Sequence, residues 1–432
     1  MRVLIVGASG FIGQHVAVDL AQAGHQILAC GRDAEGLRRR FPLWDVTRCD
    51  ISTDRANDWL SRLSGIDAVI NAAGIFQSAG RNSFKAVHIT GPGALFDACA
   101  EARIERLVQI SALGADRTAQ SQFHLTKRDA DDYFISLAAQ HGFSGWTVIR
   151  PSLVIGRGGQ STALFSALAA LPWPPRLGPG TWRVQPLHVS DLAIGIRLAL
   201  ESNEALPPAI DFAGPRPMTT DQLTHTLRRW LVLPPAKIFP VPEWLLRIGS
   251  LFGSAFSFGA LSRESLAMLA RGNTASTEPA QKALGWKARP LEAALLAEPS
   301  AQADLWHARL LLLKPALRIG LALLWISTAV VSAFVYPVDT SIAMVSGLGV
   351  TGAEASALVY GGAGLDAVLG LALLLNFRPA LIGILQIFTV MLFTVLATIT
   401  IPEAWSEPLG PLTKNLPVLL ATLAMIALEA KS

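Results

Sequence analysis

The chain has 432 residues, of which 51% are hydrophobic and 16% are charged, with a net charge of +4. Soluble globular proteins carry about 25% charged residues, so this average excludes a single soluble domain. About 150 residues per domain predicts two or three folded units. The one tight basic cluster, Arg38, Arg39 and Arg40, is interpreted as solvated surface, so we predict no nucleic-acid partner.

The three cysteines are Cys30, Cys49 and Cys99, and their spacing matches no paired motif. We therefore predict neither a disulfide framework nor a zinc site, and the sequence shows no cluster of metal ligands. The N-terminus enters a predicted strand at Arg2 and lacks the polar cleavage region of a signal peptide. The first half of the chain is therefore expected to stay in the cytoplasm.

A predicted strand at residues 3–6 runs directly into a glycine-rich turn and then into a helical pattern. Seven residues form the turn, namely Gly7, Ala8, Ser9, Gly10, Phe11, Ile12 and Gly13. The first glycine makes a tight turn, the second lets a pyrophosphate approach the backbone, and the third lets the helix pack on the strand. The helix N-terminus supplies free N–H groups for the phosphates. We predict dinucleotide binding; the alternative is a glycine turn that only packs.

A second strand at residues 26–30 ends in Gly31, Arg32 and Asp33. A carboxylate at this point usually binds the ribose hydroxyls of NAD, whereas a nearby arginine accommodates the 2′-phosphate of NADP. Gly31 and Arg32 favour NADP, with NAD as the alternative. In the competing interpretation, Asp33 turns inward and Arg32 is merely solvated.

Six further segments follow in an order that resembles the extended and atypical short-chain dehydrogenases and reductases over residues 1–300. They are residues 49–51, 69–74, 108–116, 126–131, 148–156 and 186–192. The resemblance is strongest to the branch that includes the reductase-like accessory subunit of respiratory complex I. It implies an α/β Rossmann fold with a doubly wound parallel sheet. It also implies that Asp50 lies near the adenine and that Ala72, Ala73 and Gly74 lie beside the cofactor.

The catalytic motif of that family is Tyr-x-x-x-Lys, which places both side chains on one helix face. In this chain the same spacing holds Phe123 and Lys127, and Phe123 has no hydroxyl to exchange a proton. The resemblance still implies catalytic or cofactor-binding roles for Ser111 and Lys127.

Three interpretations of this departure remain open. His124 could replace the tyrosine as the acid, because histidine titrates near neutral pH. The cofactor or another group, such as Tyr133, could handle the proton, although Tyr133 is six residues beyond Lys127 and lies on another helix face. In the third interpretation, the domain binds NADP and acts as a sensor or structural module with little or no chemistry.

Residues 156–300 are expected to form a smaller substrate-facing subdomain. Residues 221–230 predict an amphipathic helix. The stretch 244–261, rich in Leu, Phe and Gly, is interpreted either as a packed core helix or as a helix on the membrane surface. His188 and Asp191 either contact substrate or hold their own loop in place.

After a linker at residues 301–314, the last part of the chain, residues 315–432, predicts four membrane spans. They cover approximately residues 316–335, 356–375, 380–400 and 412–428. A cytoplasmic N-terminal half then places Lys314, Arg318, Arg378 and Lys431 inside and Asp339, Glu354, Glu403 and Glu407 outside. Only Lys414 breaks the positive-inside rule, so we predict both ends of the bundle in the cytoplasm.

This half resembles the DoxX-like membrane family, through residues 318–325, Asp366 and residues 411–417. Membership implies a bundle of four transmembrane helices. Asp366 within a span is expected to face the interior with a partner, for which Arg318, Lys414 and Gln386 are candidates; alternatively it lies near the outer surface and is hydrated. Four glycines of the second span are expected to permit close helix packing: Gly361, Gly362, Gly364 and Gly370.

Together these features predict a membrane-anchored NAD(P)-dependent oxidoreductase of a bacterial-type inner membrane. Its expected partners are the lipid bilayer and a hydrophobic carbonyl or quinone-like substrate, and a homo-oligomer is compatible with the sequence. The rival hypothesis is a non-catalytic NADP-binding module that serves the membrane bundle or a respiratory assembly.

Overall fold

The computed structural model describes residues 1–76, 78, 83–242, 263–347, 349–408 and 410–429. The chain divides into two compact units, Met1–Ala308 and Arg309–Ser432. The predicted stretch 244–261 and the predicted inner anchor Lys431 lie outside the described residues.

The first unit alternates strands and helices along most of its length. Its strands are β1 (Arg2–Val6), β2 (Gln26–Gly31), β3 (Asp45–Arg48), β4 (Ala68–Asn71), β5 (Arg106–Ile110), β6 (Gly145–Pro151), β7 (Val154–Ile155), β8 (Pro175–Arg176), β9 (Arg183–Val184), β10 (Leu187–His188), β11 (Ala209–Phe212), β12 (Met218–Thr219) and β13 (Phe239–Pro240). Its helices are α1 (Phe11–Gln22), α2 (Ala34–Arg40), α3 (Ala56–Leu63), α4 (Gly91–Glu101, preceded by a π-helical turn at Lys85–Thr90), α5 (Gln122–His141), α6 (Gln160–Ala170), α7 (Val189–Glu201), α8 (Thr220–Trp230), α9 (Arg263–Arg271), α10 (Glu278–Leu284) and α11 (Leu291–Ala297).

Seven strands form one parallel sheet in the order β11-β6-β5-β4-β1-β2-β3. The order of the strands reverses between β1 and β4, which is where ligands bind in open α/β sheets. The predicted doubly wound Rossmann fold is confirmed. The carboxyl ends of β1, β4 and β5 therefore meet at one edge of the sheet.

The alternation of side chains along β1 explains why both faces of the sheet are covered. Val3 and Ile5 contribute to one hydrophobic cluster with Val16 and Leu20 of α1. Leu4 and Val6 contribute to the cluster on the opposite face, which includes residues of α3, α4 and α5. Each fully buried aliphatic side chain of this kind stabilises the fold by about 1.5–3 kcal/mol.

The segment 156–300, which we expected to form one subdomain, is interleaved with the main sheet. β11 lies within it and pairs with β6 as the edge strand of the large sheet. α8 begins at Thr220, where the side chain of Thr219 accepts a hydrogen bond from the N–H of Gln222, so the predicted helix at 221–230 is present.

Cys30 and Cys49 form a disulfide, contrary to our prediction from their spacing, while Cys99 is buried and free. The cause is strand pairing, because β2 and β3 lie side by side with Gly31 opposite Arg48. The two cysteines flank that pair, and their Cα atoms are 5.8 Å apart. Adjacency of this kind depends on sheet order, which sequence spacing does not reveal.

The second unit is helical. Its helices are α12 (Gln302–Val330, continued by a π-helical turn at Val331–Val335), α13 (Val338–Ser346), α14 (Gly352–Leu374), α15 (Pro379–Thr400), a 3₁₀ turn (Pro402–Trp405) and α16 (Asn415–Glu429). In the described part of the chain, three helices are long and apolar enough to cross a membrane: Gln302–Val335, Gly352–Leu374 and Pro379–Thr400. The predicted linker at 301–314 is helical and continuous with the first of them.

Within the described residues, the predicted fourth span corresponds to α16, whose 15 residues extend over about 22 Å. Glu429, the last described residue, pairs with Lys314 and Arg318 at 3.0 and 3.1 Å. Arg318 also donates to Asn376 at 2.6 Å. The start of the first span, the loop after α14 and the end of α16 therefore meet at one end of the bundle.

The glycines of α14 differ in their surroundings. A Cβ at Gly370 would lie 3.0 Å from the carbonyl oxygen of Ala322 and 2.8 Å from Cγ1 of Ile326, so close helix packing is confirmed there. Among the described residues, no atom beyond the local backbone of α14 lies within 4 Å of the corresponding position at Gly361 or Gly364, so the expected close packing is not observed at these two.

We expect Gly370→Leu to destabilise the bundle, because an overpacked helix contact costs about 1–3 kcal/mol. The thermal unfolding temperature of the purified protein in detergent measures this. Gly364→Leu on the same helix is the matched control and should unfold like the unmodified chain. Equal unfolding temperatures for both variants would contradict the contact between Gly370 and α12.

Candidate functional site

The glycine turn between β1 and α1 forms a cradle that side chains would fill. Gly7 has a φ of +81°, and a Cβ there would lie 2.9 Å from the N atom of Ala73. A Cβ at Gly13 would lie 2.2 Å from the carbonyl oxygen of Gly7. Gly10 precedes α1 in extended conformation and donates its N–H to Gly7 at 2.9 Å. Glycine is therefore required sterically at Gly7 and Gly13, and the N-terminus of α1 points at the turn.

The other residues of the turn have distinct neighbours. The Ser9 hydroxyl lies 3.5 Å from the position that a Cβ of Gly31 would occupy, which joins the turn to the end of β2. The Phe11 ring lies against Gly159 of the loop after β7. Ile12 packs against the hydrophobic cluster that contains α1. Phe11 and Ile12 therefore use their side chains for packing and leave only their backbone to a cofactor.

The end of β2 carries the residues predicted to select the cofactor. The Asp33 carboxylate accepts the N–H of Gly36 at 2.8 Å and caps α2, so it serves the fold. Burial tends to raise the pKa of Asp50, but hydrogen bonds from Ser52 and the charges of Arg32 and Arg48 outweigh it and hold that pKa below its ordinary value. Arg32 thus lies close enough to Asp50 for their charges to interact.

At the end of β4, Asn71 shapes the backbone that faces the glycine turn. Its amide donates to the Gln109 side chain at 2.8 Å, and its side-chain oxygen accepts the N–H of Ala73 at 3.2 Å. Ala72 and Ala73 lie directly against Gly7. A Cβ at Gly74 would lie 3.3 Å from Nζ of Lys127. The structure therefore brings Ala72, Ala73 and Gly74 between the turn and the lysine.

Lys127 lies on α5 with only 4% of its surface exposed. Its Nζ donates to the carbonyl oxygen of Ile110, at the end of β5, at 2.9 Å. Burial lowers the pKa of Lys127 to about 8, although the charge of Asp131 opposes that shift. The ammonium group is therefore held at the carboxyl edge of the sheet and retains its charge over most of the neutral range.

His88 is a neighbour of this lysine that the sequence analysis missed. Its Nε2 accepts the N–H of Ile75 at 3.1 Å, and its Nδ1 lies 3.0 Å from the hydroxyl of Thr126. Burial and the charge of Lys127 lower the pKa of His88 to about 3. A neutral imidazole fits these contacts, because one nitrogen accepts while the other faces a hydroxyl that donates to Gln122.

Ser111 follows β5, and its hydroxyl donates to Asp131 at 2.8 Å. Asp131 has no exposed surface and also accepts from Nε of Arg150 at 3.0 Å. Burial raises the pKa of Asp131 to about 6, while Arg150 and Ser111 act in the opposite direction. Asp131 is four residues after Lys127 on one helix face, a spacing that could have identified it from the sequence.

Phe123 stands at the position of the expected tyrosine and is surrounded by other aromatic rings. Phe123 is buried, stacks on Phe76 with ring centroids 4.9 Å apart and meets His88 edge to face at 5.5 Å. His124 lies against Gly114, and its Nδ1 is 3.0 Å from the Ser121 hydroxyl. The structure therefore turns His124 toward the loop after β5, while Lys127 points at Ile110.

Tyr133 lies outside this group. Its hydroxyl donates to Asp97 of α4, and that hydrogen bond is the main reason its pKa is raised to about 12. Six residues along α5 separate it from Lys127, a distance of about 9 Å. The contact with α4 disfavours Tyr133 as the proton donor.

His188 and Asp191 hold their own loop. His188 caps α7 and contacts the Ser190 hydroxyl at 2.7 Å. Asp191 accepts from Nε of Arg289 at 2.7 Å and from its backbone N–H at 2.9 Å. These contacts support the interpretation that both residues hold their own loop, although Nε2 of His188 is buried without a hydrogen-bond partner among the described residues. Among the described residues, no group of three His, Cys, Asp or Glu side chains has the arrangement of a metal site.

Comparison with known proteins agrees with this geometry. Residues 3–212 match the NAD dependent epimerase/dehydratase family, and residues 322–423 match the DoxX-like family. A nicotinamide dinucleotide suits the cradle described above, because the backbone at Gly7 and Gly13 leaves no room for side chains and a helix N-terminus faces it. The cofactor class is therefore NAD(P).

Curated relatives match only part of this chain. A ceramide reductase of Caulobacter vibrioides is 31% identical over 199 residues, which cover 44% of this chain and 58% of that protein. Subunit 9 of the NADH dehydrogenase (ubiquinone) 1 alpha subcomplex of Arabidopsis thaliana is 26% identical over 256 residues, 55% of this chain and 62% of that subunit. The chain thus spans less than two thirds of either relative.

Solved structures show the same fold at low identity. The UDP-glucuronic acid 4-epimerase of Bacillus cereus, in complex with UDP-glucuronic acid and NAD, aligns with a TM-score of 0.54 and 17% identity over 72% of this chain and all of that one. The chain therefore combines a domain of the NAD dependent epimerase/dehydratase family with a DoxX-like domain, in a region whose described helices include three that are long and apolar enough to cross a membrane.

Proposed function

We propose that this protein is a membrane-anchored oxidoreductase of the short-chain dehydrogenase type that acts on a hydrophobic carbonyl or quinone-like substrate. The observation that carries the proposal is the buried ammonium of Lys127 beside Gly74, at the sheet edge that also holds the glycine cradle. The same chain continues into helices long and apolar enough to cross a membrane. A tether of this kind suits a substrate that is dissolved in the bilayer.

The names of two relatives support a lipid-like substrate. One is the ceramide reductase of Caulobacter vibrioides, and another is a 2-alkyl-3-oxoalkanoate reductase of Stenotrophomonas maltophilia, which is 28% identical over 234 residues. We infer a long-chain carbonyl compound as the substrate class.

NADP is the preferred cofactor in this proposal, with NAD as the alternative. Asp33 is occupied as the cap of α2, so its carboxylate is committed to the fold. Arg32 follows Gly31 at the end of β2, where an arginine accommodates a 2′-phosphate. Asp50 would lie beside the adenine and is held ionised by its neighbours.

The nicotinamide supplies or accepts a hydride when the cofactor is bound. Lys127 would bind the cofactor ribose through its ammonium group. Ser111 would face the substrate oxygen. The protonation state of Asp131 would determine the direction in which the Ser111 hydroxyl donates its hydrogen. With Asp131 ionised, the hydroxyl donates to the carboxylate; with Asp131 protonated, the carboxyl can donate to Ser111 and leave that hydroxyl to polarise a carbonyl.

The rival function, a cofactor-binding module without chemistry, is favoured by Phe123. An apolar ring packed on Phe76 stands where the family has its proton donor. His124 remains the candidate acid in the enzymatic proposal, although its ring lies against Gly114.

For the membrane half, we propose four spans in a bacterial-type inner membrane, with the first unit and the C-terminus in the cytoplasm. The ion pairs of Glu429 with Lys314 and Arg318 support this arrangement, because they join the first and last helices at one end. We further propose domain limits of 1–300 and 315–432 and allow for a homo-oligomer.

We expect the full-length protein in nanodiscs to oxidise NADPH in the presence of long-chain carbonyl compounds. The Lys127→Met variant should react at least about a hundredfold more slowly, because the orientation of the cofactor depends on the Lys127 ammonium group. Stopped-flow absorbance at the nicotinamide band measures the rate. Lys282→Met, which removes an exposed lysine paired with Glu278, is the matched control. Tight NADPH binding without turnover on any carbonyl or quinone would favour the rival function.

Phe123→Tyr should raise the turnover number by about a hundredfold if the domain is an enzyme that lacks its usual acid. Phe84→Tyr makes the same chemical change on a neighbouring ring and should leave the rate unchanged. Single-turnover kinetics separates the chemical step from cofactor release. An unchanged rate in both variants would support the non-catalytic module.

Carbonyl reduction should speed up as the pH falls through about 6, the pKa of Asp131. Below that value Asp131 is protonated and frees the Ser111 hydroxyl; above it the carboxylate retains that hydrogen bond. The pH profile of kcat measures this. Asp131→Asn should flatten the inflection, and Arg150→Gln should move it upward, because Arg150 lowers this pKa. An inflection that both variants leave in place would exclude Asp131.

A further inference from the structure

A cluster of polar side chains lies buried inside the helical bundle of the second unit, outside the site described above. We call it the bundle cluster. It comprises Trp325 of α12, Asp366 of α14, Gln386 of α15 and Thr422 of α16, with exposures of 5%, 6%, 1% and 2%. Each of these four helices therefore contributes at least one polar residue to the interior.

Contacts between α12 and α14 define the depth of two of these residues. Asn376 meets Arg318, and Gly370 meets Ala322 and Ile326, so the two helices run antiparallel. By this register, residue 369 is level with Trp325. Asp366 lies three residues further along, which is about 4.5 Å.

Contacts between α15 and α16 define the depth of the other two. Gly383 lies against Met425 and Ile426, and Asn415 donates to Thr394 at 2.7 Å. The register therefore sets Gln386 level with Thr422.

The contact between α14 and α15, which we call the α14–α15 seam, relates the depth of Trp325 and Asp366 to the depth of Gln386 and Thr422. A Cβ at Gly362 would lie 3.8 Å from the ring of Phe393, and α15 starts shortly after α14 ends. Asp366 and Gln386 are therefore separated by about one helical turn or less in depth, which is about 5 Å. The bundle cluster forms a single polar level in the bundle.

The polar atoms of this cluster are largely unsatisfied. Nε1 of Trp325, Oδ1 of Asp366 and both side-chain polar atoms of Gln386 are buried and make no hydrogen bond within the described residues. Arg318, one of the three candidate partners of Asp366, donates to Asn376 and Glu429. Unpaired polar groups inside a bilayer are costly, so their retention points to a ligand.

The donors and acceptors define the ligand chemistry. The Trp325 indole only donates, the Gln386 amide both donates and accepts, and the Asp366 carboxyl accepts. A cation would leave the Trp325 donor unpaired, and an anion would oppose the Asp366 carboxylate. We propose that the bundle cluster binds the head group of an uncharged, lipid-soluble molecule that carries hydroxyl and carbonyl oxygens.

The α14–α15 seam offers a path for the apolar part of such a molecule. Gly362 lies four residues before Asp366, on the same helix face, and the Phe393 ring is the one described neighbour within 4 Å of its Cβ position. For Gly361 and Gly364, no neighbour within the described part of the chain comes that close. The proposal does not rest on reductase activity, because no residue of the first unit takes part.

Two sources supply this chemistry, an acylated amino alcohol and a quinone or quinol. The test uses the full-length protein in phosphatidylcholine nanodiscs without nicotinamide cofactor, titrated by isothermal calorimetry with N-octanoylsphinganine and separately with decylubiquinone and decylubiquinol. We expect saturable binding of one source and a loss of affinity of about tenfold in Gln386→Met and Trp325→Phe, the value of one hydrogen bond. The probe that binds identifies the source.

Thr328→Val is the control, because its exposed hydroxyl bonds only within α12, to Leu324. It should retain the affinity of the unmodified chain. A second readout needs no ligand. We expect Asp366→Leu with Gln386→Met to unfold at the same or a higher temperature, since unsatisfied polar atoms are replaced by apolar ones.

Three outcomes would overturn the proposal. In the first, no probe binds to the unmodified chain. In the second, Gln386→Met and Trp325→Phe bind as tightly as the unmodified chain. In the third, the double variant unfolds at a markedly lower temperature, which would assign the bundle cluster a structural role.

Discussion

The backbone contact between the glycine turn and the end of β4 is the constraint on which the first unit depends. β1 lies at the middle of the sheet, and a Cβ at Gly7 would approach Ala73 to 2.9 Å. Any side chain there would push β4 away from β1. Gly74 follows directly and lies against Lys127, so the same displacement would open the contact between the turn and the lysine. Because Gly7 has no side chain, the glycine turn and the Lys127 ammonium group keep their present separation.

Local motifs made one part of this site predictable. The glycine turn, Ser111 and Lys127 follow from residues close together in sequence, and the structure brings them to one sheet edge. His88 was missed because it reaches the site through tertiary packing of the turn before α4. The pairing of Cys30 with Cys49 depends likewise on the neighbouring strands β2 and β3.

Hydropathy made the three long apolar helices predictable but not their ends. The helix of the first span begins at Gln302, where Asp304, Arg309 and Lys314 interrupt the apolar residues, so hydropathy alone does not show where the helix starts. The start of α16 was not evident either, since the apolar run begins at Leu412 while the backbone turns until Lys414. The ion pair of Arg318 with Glu429 depends on the fold of the bundle, because the two residues are far apart in the sequence.

The buried polar groups named above differ in how completely they are paired. In the first unit, Asn71 pairs with Gln109, and Asp131 pairs with Ser111 and Arg150. Such pairing holds the sheet edge in one arrangement and tunes the protonation of Asp131. In the second unit, Gln386 leaves both side-chain polar atoms without a partner among the described residues. Because a bilayer offers no water to compensate, an unsatisfied amide there is costlier than the same amide in a soluble core. The amide of Gln386 therefore marks the polar interior of the second unit as an incomplete site, although the sequence of this unit is the less informative of the two.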